Sequence, residues 1–141
     1  MNNLVSKRFI CPCCGYPTLD EKDSYEICML CDWEDGGQND SDSELVKGGP
    51  NADYSLEEAR DNFKKYLIMY EPNRDMRITG RDTVEEVEIK KQLMKIYNGI
   101  AKEKDQVKLE ELYLLVDKLE DRLYHITSEK IKEYENKIKG K

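Results

Sequence analysis

Cys11-Pro12-Cys13-Cys14-Gly15-Tyr16 and Cys28-Met29-Leu30-Cys31-Asp32-Trp33 decide how this chain begins to fold. Taken as ligands, Cys11, Cys14, Cys28 and Cys31 read C-x2-C-x13-C-x2-C. Two C-x2-C turns at this separation match a tetrahedral site of four cysteines for Zn2+. In each turn the two sulfurs reach one ion from the same side, and backbone N–H groups between them can point at the thiolates. Gly15 supplies the positive φ that such a knuckle needs after its second cysteine, and Pro12 stiffens the turn. Four thiolates close the coordination sphere, so the metal is expected to be structural: catalytic zinc keeps an open position. It would also supply folding energy that about thirty residues cannot gather from their own core. Cys13 is the fifth cysteine. The knuckle leaves it pointing away from the ion, as a spare turn residue; a redox-reactive thiol or an alternate ligand is the alternative.

Outward from this segment the chain divides into three. Residues 8–54 form a zinc-ribbon-like domain whose later part, 36–54, is a Gly-, Asp- and Ser-rich acidic loop. Residues 55–82 form a capping helix and a connection. Residues 83–141 form a helical hairpin or coiled-coil extension. Ser55-Leu56-Glu57-Glu58 is a capping box, and Leu56, Ala59, Phe63, Tyr66, Leu67 and Tyr70 give one apolar face, which Pro72 is expected to end. Thr83-Val84-Glu85-Glu86 is a second capping box. Val87, Ile89, Leu93, Ile96, Tyr97 and Ile100 carry helical spacing from there, weakened at Asn98-Gly99. Asp105 is an N-cap for a third helix, in which Leu109, Leu112, Val116, Leu119, Leu123 and Ile126 form a heptad seam. An antiparallel hairpin of 84–103 against 106–127 is placed ahead of a dimerising coiled coil, and the last residues, 137–141, are expected to fray. The fold class is α+β: a small zinc ribbon or knuckle, a helix, and a long C-terminal helical hairpin.

With these motifs placed, the quoted residues take on a family likeness. Cys11–Tyr16, Thr18-Leu19, Tyr25–Cys28, Cys31–Asp35, Gly48-Gly49-Pro50-Asn51, Ser55-Leu56 and Glu58-Ala59-Arg60 resemble the bacterial cysteine-rich CPCC family over about residues 9–67. Members often carry Asp-Asp after Trp-Glu, whereas Asp35 is followed here by Gly36. The resemblance implies a zinc-ribbon-like fold, a bound zinc and a bacterial or phage source. It implies no mechanism.

Charge narrows the function classes. The 141 residues carry a net charge of −7, and residues 1–54 hold 4 Lys+Arg against 11 Asp+Glu. The remainder is balanced, so the whole excess lies on the cysteine-bearing third. Nucleic-acid binding draws its affinity from Lys and Arg on phosphates, which makes a nucleic-acid-associated zinc ribbon the lesser alternative. Asp40-Ser41-Asp42-Ser43-Glu44 begins like a calcium loop, but Leu45 and Asn51 stand where Gly and Glu are required, so a solvated acidic loop is expected. Trp33 reads as aromatic cover for the metal site. His125, the single histidine, reads as surface or packing. Arg74, Arg77 and Arg81 make a small basic patch in a connecting loop. No nucleophile–base pair or phosphate loop accompanies any of these, so no enzyme is expected. No stretch is apolar enough to span a membrane, and Met1–Arg8 lacks the apolar core of a signal peptide, which suggests the cytoplasm. The expected function is a zinc-binding protein-interaction module, such as a toxin-immunity or phage counter-defence factor, with an unidentified protein as partner and a homodimer through the C-terminal helices as a further possibility.

Overall fold

The computed structural model describes residues 5–140. Met1–Leu4, part of the leader reading, and Lys141, the end of the fraying segment, lie outside them. The chain forms two compact units, Met1–Arg74 and Asp75–Lys141. The first carries the entire charge excess, with 8 Lys+Arg against 15 Asp+Glu.

In the first unit, β1 (Phe9–Ile10) pairs antiparallel with β2 (Pro17–Leu19). Two isolated bridges add to it: Ile27 with Glu34 closes the second knuckle, and Val46 with Ser55 ties the acidic loop to the start of the helix that follows. So little sheet cannot stand alone in water, and the unit is assembled around the cysteines. Helix α1 (Leu56–Tyr66) supplies the largest apolar face, with Leu56, Ala59 and Phe63 buried. Its capping box forms: Ser55 Oγ accepts from Glu58 N–H at 3.0 Å, and Glu58 Oε1 accepts from Ser55 N–H at 3.2 Å. Arg60 Nε donates to the Pro12 carbonyl at 2.8 Å, and the Tyr16 and Phe63 rings lie 6.3 Å apart, so α1 rests on the first knuckle. Met69 N–H donates to the Cys31 carbonyl at 2.9 Å, which fastens the segment after α1 to the second knuckle.

That fastening explains where α1 ends. It stops at Tyr66, six residues before Pro72, with Leu67 in the left-handed region at φ 60°. Asn62 Nδ2 then donates to the Met69 carbonyl at 2.8 Å, turning the chain back and burying Ile68 and Met69. A tertiary anchor, not proline, breaks the helical period here.

In the second unit, α2 (Val84–Lys102) and α3 (Gln106–Lys139) form the hairpin. Thr83 and Glu86 make the second capping box, and Asp105 caps α3 by accepting from Lys108 N–H. The expected seam is the covered side of α3: Val116, Leu123 and Ile126 are buried, while Leu109, Leu112 and Leu119 are half-buried. Helix α3 continues without a break to Lys139, 34 residues and about 51 Å, so the segment expected to fray is helical through that point. Helix α2 has 19 residues, about 28 Å.

The buried face of α2 differs from the apolar pattern. Glu86 and Lys90 are buried beside Ile89, Leu93 and Tyr97. Charge pairing makes this tolerable. Lys90 Nζ meets Asp82 Oδ2 at 2.5 Å, Lys130 pairs with Glu86, and Tyr97 donates its hydroxyl proton to Glu120. Gly99 sits inside α2, where a Cβ would lie 3.9 Å from Leu112 Cδ1, an ordinary contact. Gly99→Ala should therefore raise the stability of the hairpin by about 0.5–1 kcal/mol, read as an increase in the thermal midpoint of the 222 nm signal.

Candidate metal centre

Each C-x2-C segment folds by the same two hydrogen bonds. Cys11 N–H donates to the Tyr16 carbonyl at 3.0 Å, and Gly15 N–H donates to the Cys11 carbonyl at 2.9 Å. In the second turn, Cys28 N–H donates to the Trp33 carbonyl and Asp32 N–H to the Cys28 carbonyl, both at 2.9 Å. The fourth residue after the leading cysteine must then be left-handed, and Gly15 (φ 80°) and Asp32 (φ 70°) both are. Aspartate is among the few side chains that tolerate this region. The two knuckles are thus copies of one turn, a relation that the Gly/Asp difference hides in the sequence. A Cβ at Gly15 would meet nothing within 4 Å, so Gly15→Ala costs backbone strain alone. About 1–2 kcal/mol is expected, seen as a roughly tenfold loss of metal affinity in a chelator competition.

The sulfurs of Cys11, Cys14, Cys28 and Cys31 all lie within 4.8 Å of one another. Cys11 and Cys31 are 3.6 Å apart, and Cys14 and Cys28 are 3.8 Å apart. A tetrahedral ion with metal–sulfur bonds of about 2.3 Å separates its sulfurs by about 3.8 Å. The four thiols therefore fit a metal ion of that size, with no disulfide among the cysteines.

The surroundings favour thiolate at Cys28. Thr18 Oγ1 lies 2.9 Å from Cys28 Sγ, and Leu30 N–H donates to the same sulfur at 3.4 Å. Burial pushes the Cys28 thiol up, but hydrogen bonds from Cys11, Cys14, Cys31 and Thr18 outweigh it and hold Cys28 well below the usual thiol range. Burial, reinforced by neighbouring sulfurs, drives Cys14 and Cys31 well above it. Metal binding at such a cluster takes the place of the thiol protons.

Cys13 stays outside the four-sulfur cluster, but it does not face solvent. It is buried and its thiol interacts with Cys31, which is a poor setting for an accessible redox thiol. Trp33 is wholly buried, as a core residue rather than a stacking platform, and its Nε1 finds no partner among the described residues. Reading the sequence missed Thr18 as a sulfur partner and Asn51 as a buried brace. Neither carries a periodic signal, and both act only once distant loops meet.

The other candidate groups do not join this centre. Arg74 stacks 4.4 Å above the Tyr54 ring and pairs with Asp53 at 2.7 Å. Arg77 pairs with Asp75 at 2.6 Å and Asp82 at 2.8 Å. Two of the three arginines of the expected basic patch, Arg74 and Arg77, are thus taken up in ion pairs of two different units. His125 is exposed, with Nε2 3.5 Å from Asp121. The acidic loop is a short capped 3-10 turn over Asp40–Asp42, with Arg60 2.8 Å from Asp40. No described helix is long and apolar enough to cross a membrane.

Comparison with known proteins agrees with the cysteine pattern. Neither a curated protein nor a solved structure gives a significant match. A family model described as Cysteine-rich CPCC matches residues 9–84, more than half of the chain and all of the metal centre and α1. The chain belongs to the cysteine-rich CPCC family.

Proposed function

We propose that this chain is a zinc-binding protein-interaction module of the bacterial or phage cytoplasm, with no catalytic activity of its own. The observation that carries the reading is the four-sulfur cluster with its tight, mutually bracing turns. Zinc is the ion that suits four thiolates in tetrahedral geometry without redox chemistry, and full sulfur ligation leaves it no vacant position for a substrate. The metal then serves to rigidify a small acidic head. An acidic head on a neutral helical hairpin suits capture of a basic protein surface, as in a toxin-immunity pair or a phage factor that disables a host enzyme. The nucleic-acid alternative has little support, because Arg74 and Arg77 already neutralise carboxylates and the first unit is acidic.

Affinity capture from the native host with the zinc-loaded chain should recover one protein stoichiometrically, and chelation should release it. Recovery of nucleic acid instead, with a steep dependence of affinity on salt, would overturn the reading. Ile131, Tyr134 and Ile138 lie exposed at helical spacing beyond Lys130, the last residue that pairs back towards the start of α2. This stripe supports a second proposal, association of two copies through their C-terminal helices, which sedimentation velocity reads directly.

A further inference from the structure

Two of the sequence motifs, Trp33-Glu34-Asp35 and Gly48-Gly49-Pro50-Asn51, supply no metal ligand, yet the fold builds them into one wall. The buried Asn51 side chain accepts from Glu34 N–H at 2.8 Å and donates to the Glu34 carbonyl at 3.0 Å. Beside this brace lies a cleft of about 390 Å³, whose lining includes Tyr25, Glu34, Gln38, Asp42, Lys47 and Gly49. That volume falls within the range of small-ligand sites, ~300–1,000 Å³.

The cleft is held in shape by its own residues. Gln38 Nε2 donates to the Asp42 and Leu45 carbonyls at 3.0 and 2.9 Å, which fixes the loop that frames it. Gly48 and Gly49 are left-handed, at φ 82° and 66°, and present bare backbone where a side chain would narrow the space. A Cβ at Gly49 would stand 3.8 Å from Glu34 Oε1. Tyr25, itself at φ 66°, is pinned by its N–H to the Asp35 carbonyl at 2.9 Å, and its ring lies over Gly36 while remaining largely exposed.

The lining chemistry selects the occupant. The Glu34 carboxylate receives no cation and no hydrogen-bond donor from the described residues. Asp42 is partly engaged, accepting from Asn39 N–H at 2.9 Å with Lys47 at 3.9 Å. An anion would meet the free Glu34 charge. A planar cation gains twice: a carboxylate takes a guanidinium through two parallel N–H donors, and an aromatic face attracts it. We propose that this cleft receives the guanidinium of an arginine on the partner protein, with Glu34 as the charge partner and Tyr25 as the stacking face. The proposal rests on the docking-module reading, but its test requires no partner.

Zinc-loaded, 15N-labelled full chain is titrated with N-acetyl-arginine amide and, separately, with the uncharged isostere N-acetyl-citrulline amide. The arginine amide should shift the amides of residues 34–37 and 47–49 selectively, half-saturating on the order of 1 mM, which suits a fragment of this size. The citrulline amide should shift none of them. Glu34→Gln, with zinc content and Trp33 emission unchanged, should weaken the response at least tenfold. Equal responses to the two amides, shifts spread evenly over the acidic surface, or undiminished binding to Glu34→Gln would overturn the proposal. The discrimination between amides is measured on the wild-type chain, so it stands even if the variant folds poorly. Native-host capture that succeeds equally with Glu34→Gln, alongside no arginine response, would sink this site and leave the docking reading intact. A selective arginine response without any captured protein would do the reverse.

Discussion

Stripping the metal from the full chain is expected to unfold residues 5–74 while the hairpin from 75 onward stays helical. The first unit has only a two-stranded sheet and one 11-residue helix. Its fully buried residues, Leu19, Leu30, Trp33, Leu56, Ala59 and Met69, surround sulfurs that are themselves buried. Structural zinc sites contribute about 10–16 kcal/mol to folding, which matches or exceeds the ~5–15 kcal/mol net stability of a whole domain. Without the ion, four desolvated thiols must also share a site built for thiolates. The chain provides two separable reporters. Trp33 is the only tryptophan and lies in the first unit, fully buried, so its emission should shift to the red on chelation. Most of the 222 nm signal comes from α2 and α3, with 19 and 34 residues, and should persist. Unchanged Trp33 emission in verified metal-free protein would contradict the account, and so would loss of both signals in a single transition.

The second large effect belongs to the charges inside the hairpin. Lys90→Ala should destabilise the second unit by about 3 kcal/mol, because it removes one of the two cations that hold the largely buried Asp82 carboxylate, leaving only Arg77, and takes the lysine stem from the face of α2. Combining Lys90→Met with Asp82→Asn should recover most of that loss, since a neutral pair of similar volume leaves no unmatched charge. Burial raises the Asp82 carboxyl, but Lys90 and Arg77 outweigh it, so its pKa in the folded protein lies below the usual value of 3.8. A depressed folded pKa means that this contribution is full above the unfolded value and is lost as pH falls through the folded one. Thermal midpoints followed at 222 nm should therefore decline on acidification below about pH 4 in the wild type, with a shallower decline in Asp82→Asn. An identical pH profile in the variant would remove Asp82 from the account.

The legible parts of the fold were those written in fixed spacing. The C-x2-C pairs, the capping boxes at Ser55 and Thr83, the Asp105 cap and the seam from Leu109 to Ile126 each repeat a local rule, and each takes its expected place. What stayed hidden depends on contacts between distant segments. Helix α1 stops at Tyr66 because Met69 is tied to Cys31, more than thirty residues away. Glu86 and Lys90 enter the core because Lys130 and Asp82 meet them there, and a hydrophobic pattern has no symbol for a buried pair. Asp32 does the work of Gly15 in the second knuckle, which only backbone angles reveal. The arginines at 74 and 77 look alike in a loop, but they belong to different units and different carboxylates.

The central claim is a closed site of four sulfurs, and X-ray absorption at the zinc edge of the metal-loaded full chain tests it most directly. The account predicts one zinc per chain, with a shell of four sulfurs at about 2.3 Å and no lighter ligand. A shell of three sulfurs with one oxygen or nitrogen would contradict it, as would protein that takes up no zinc.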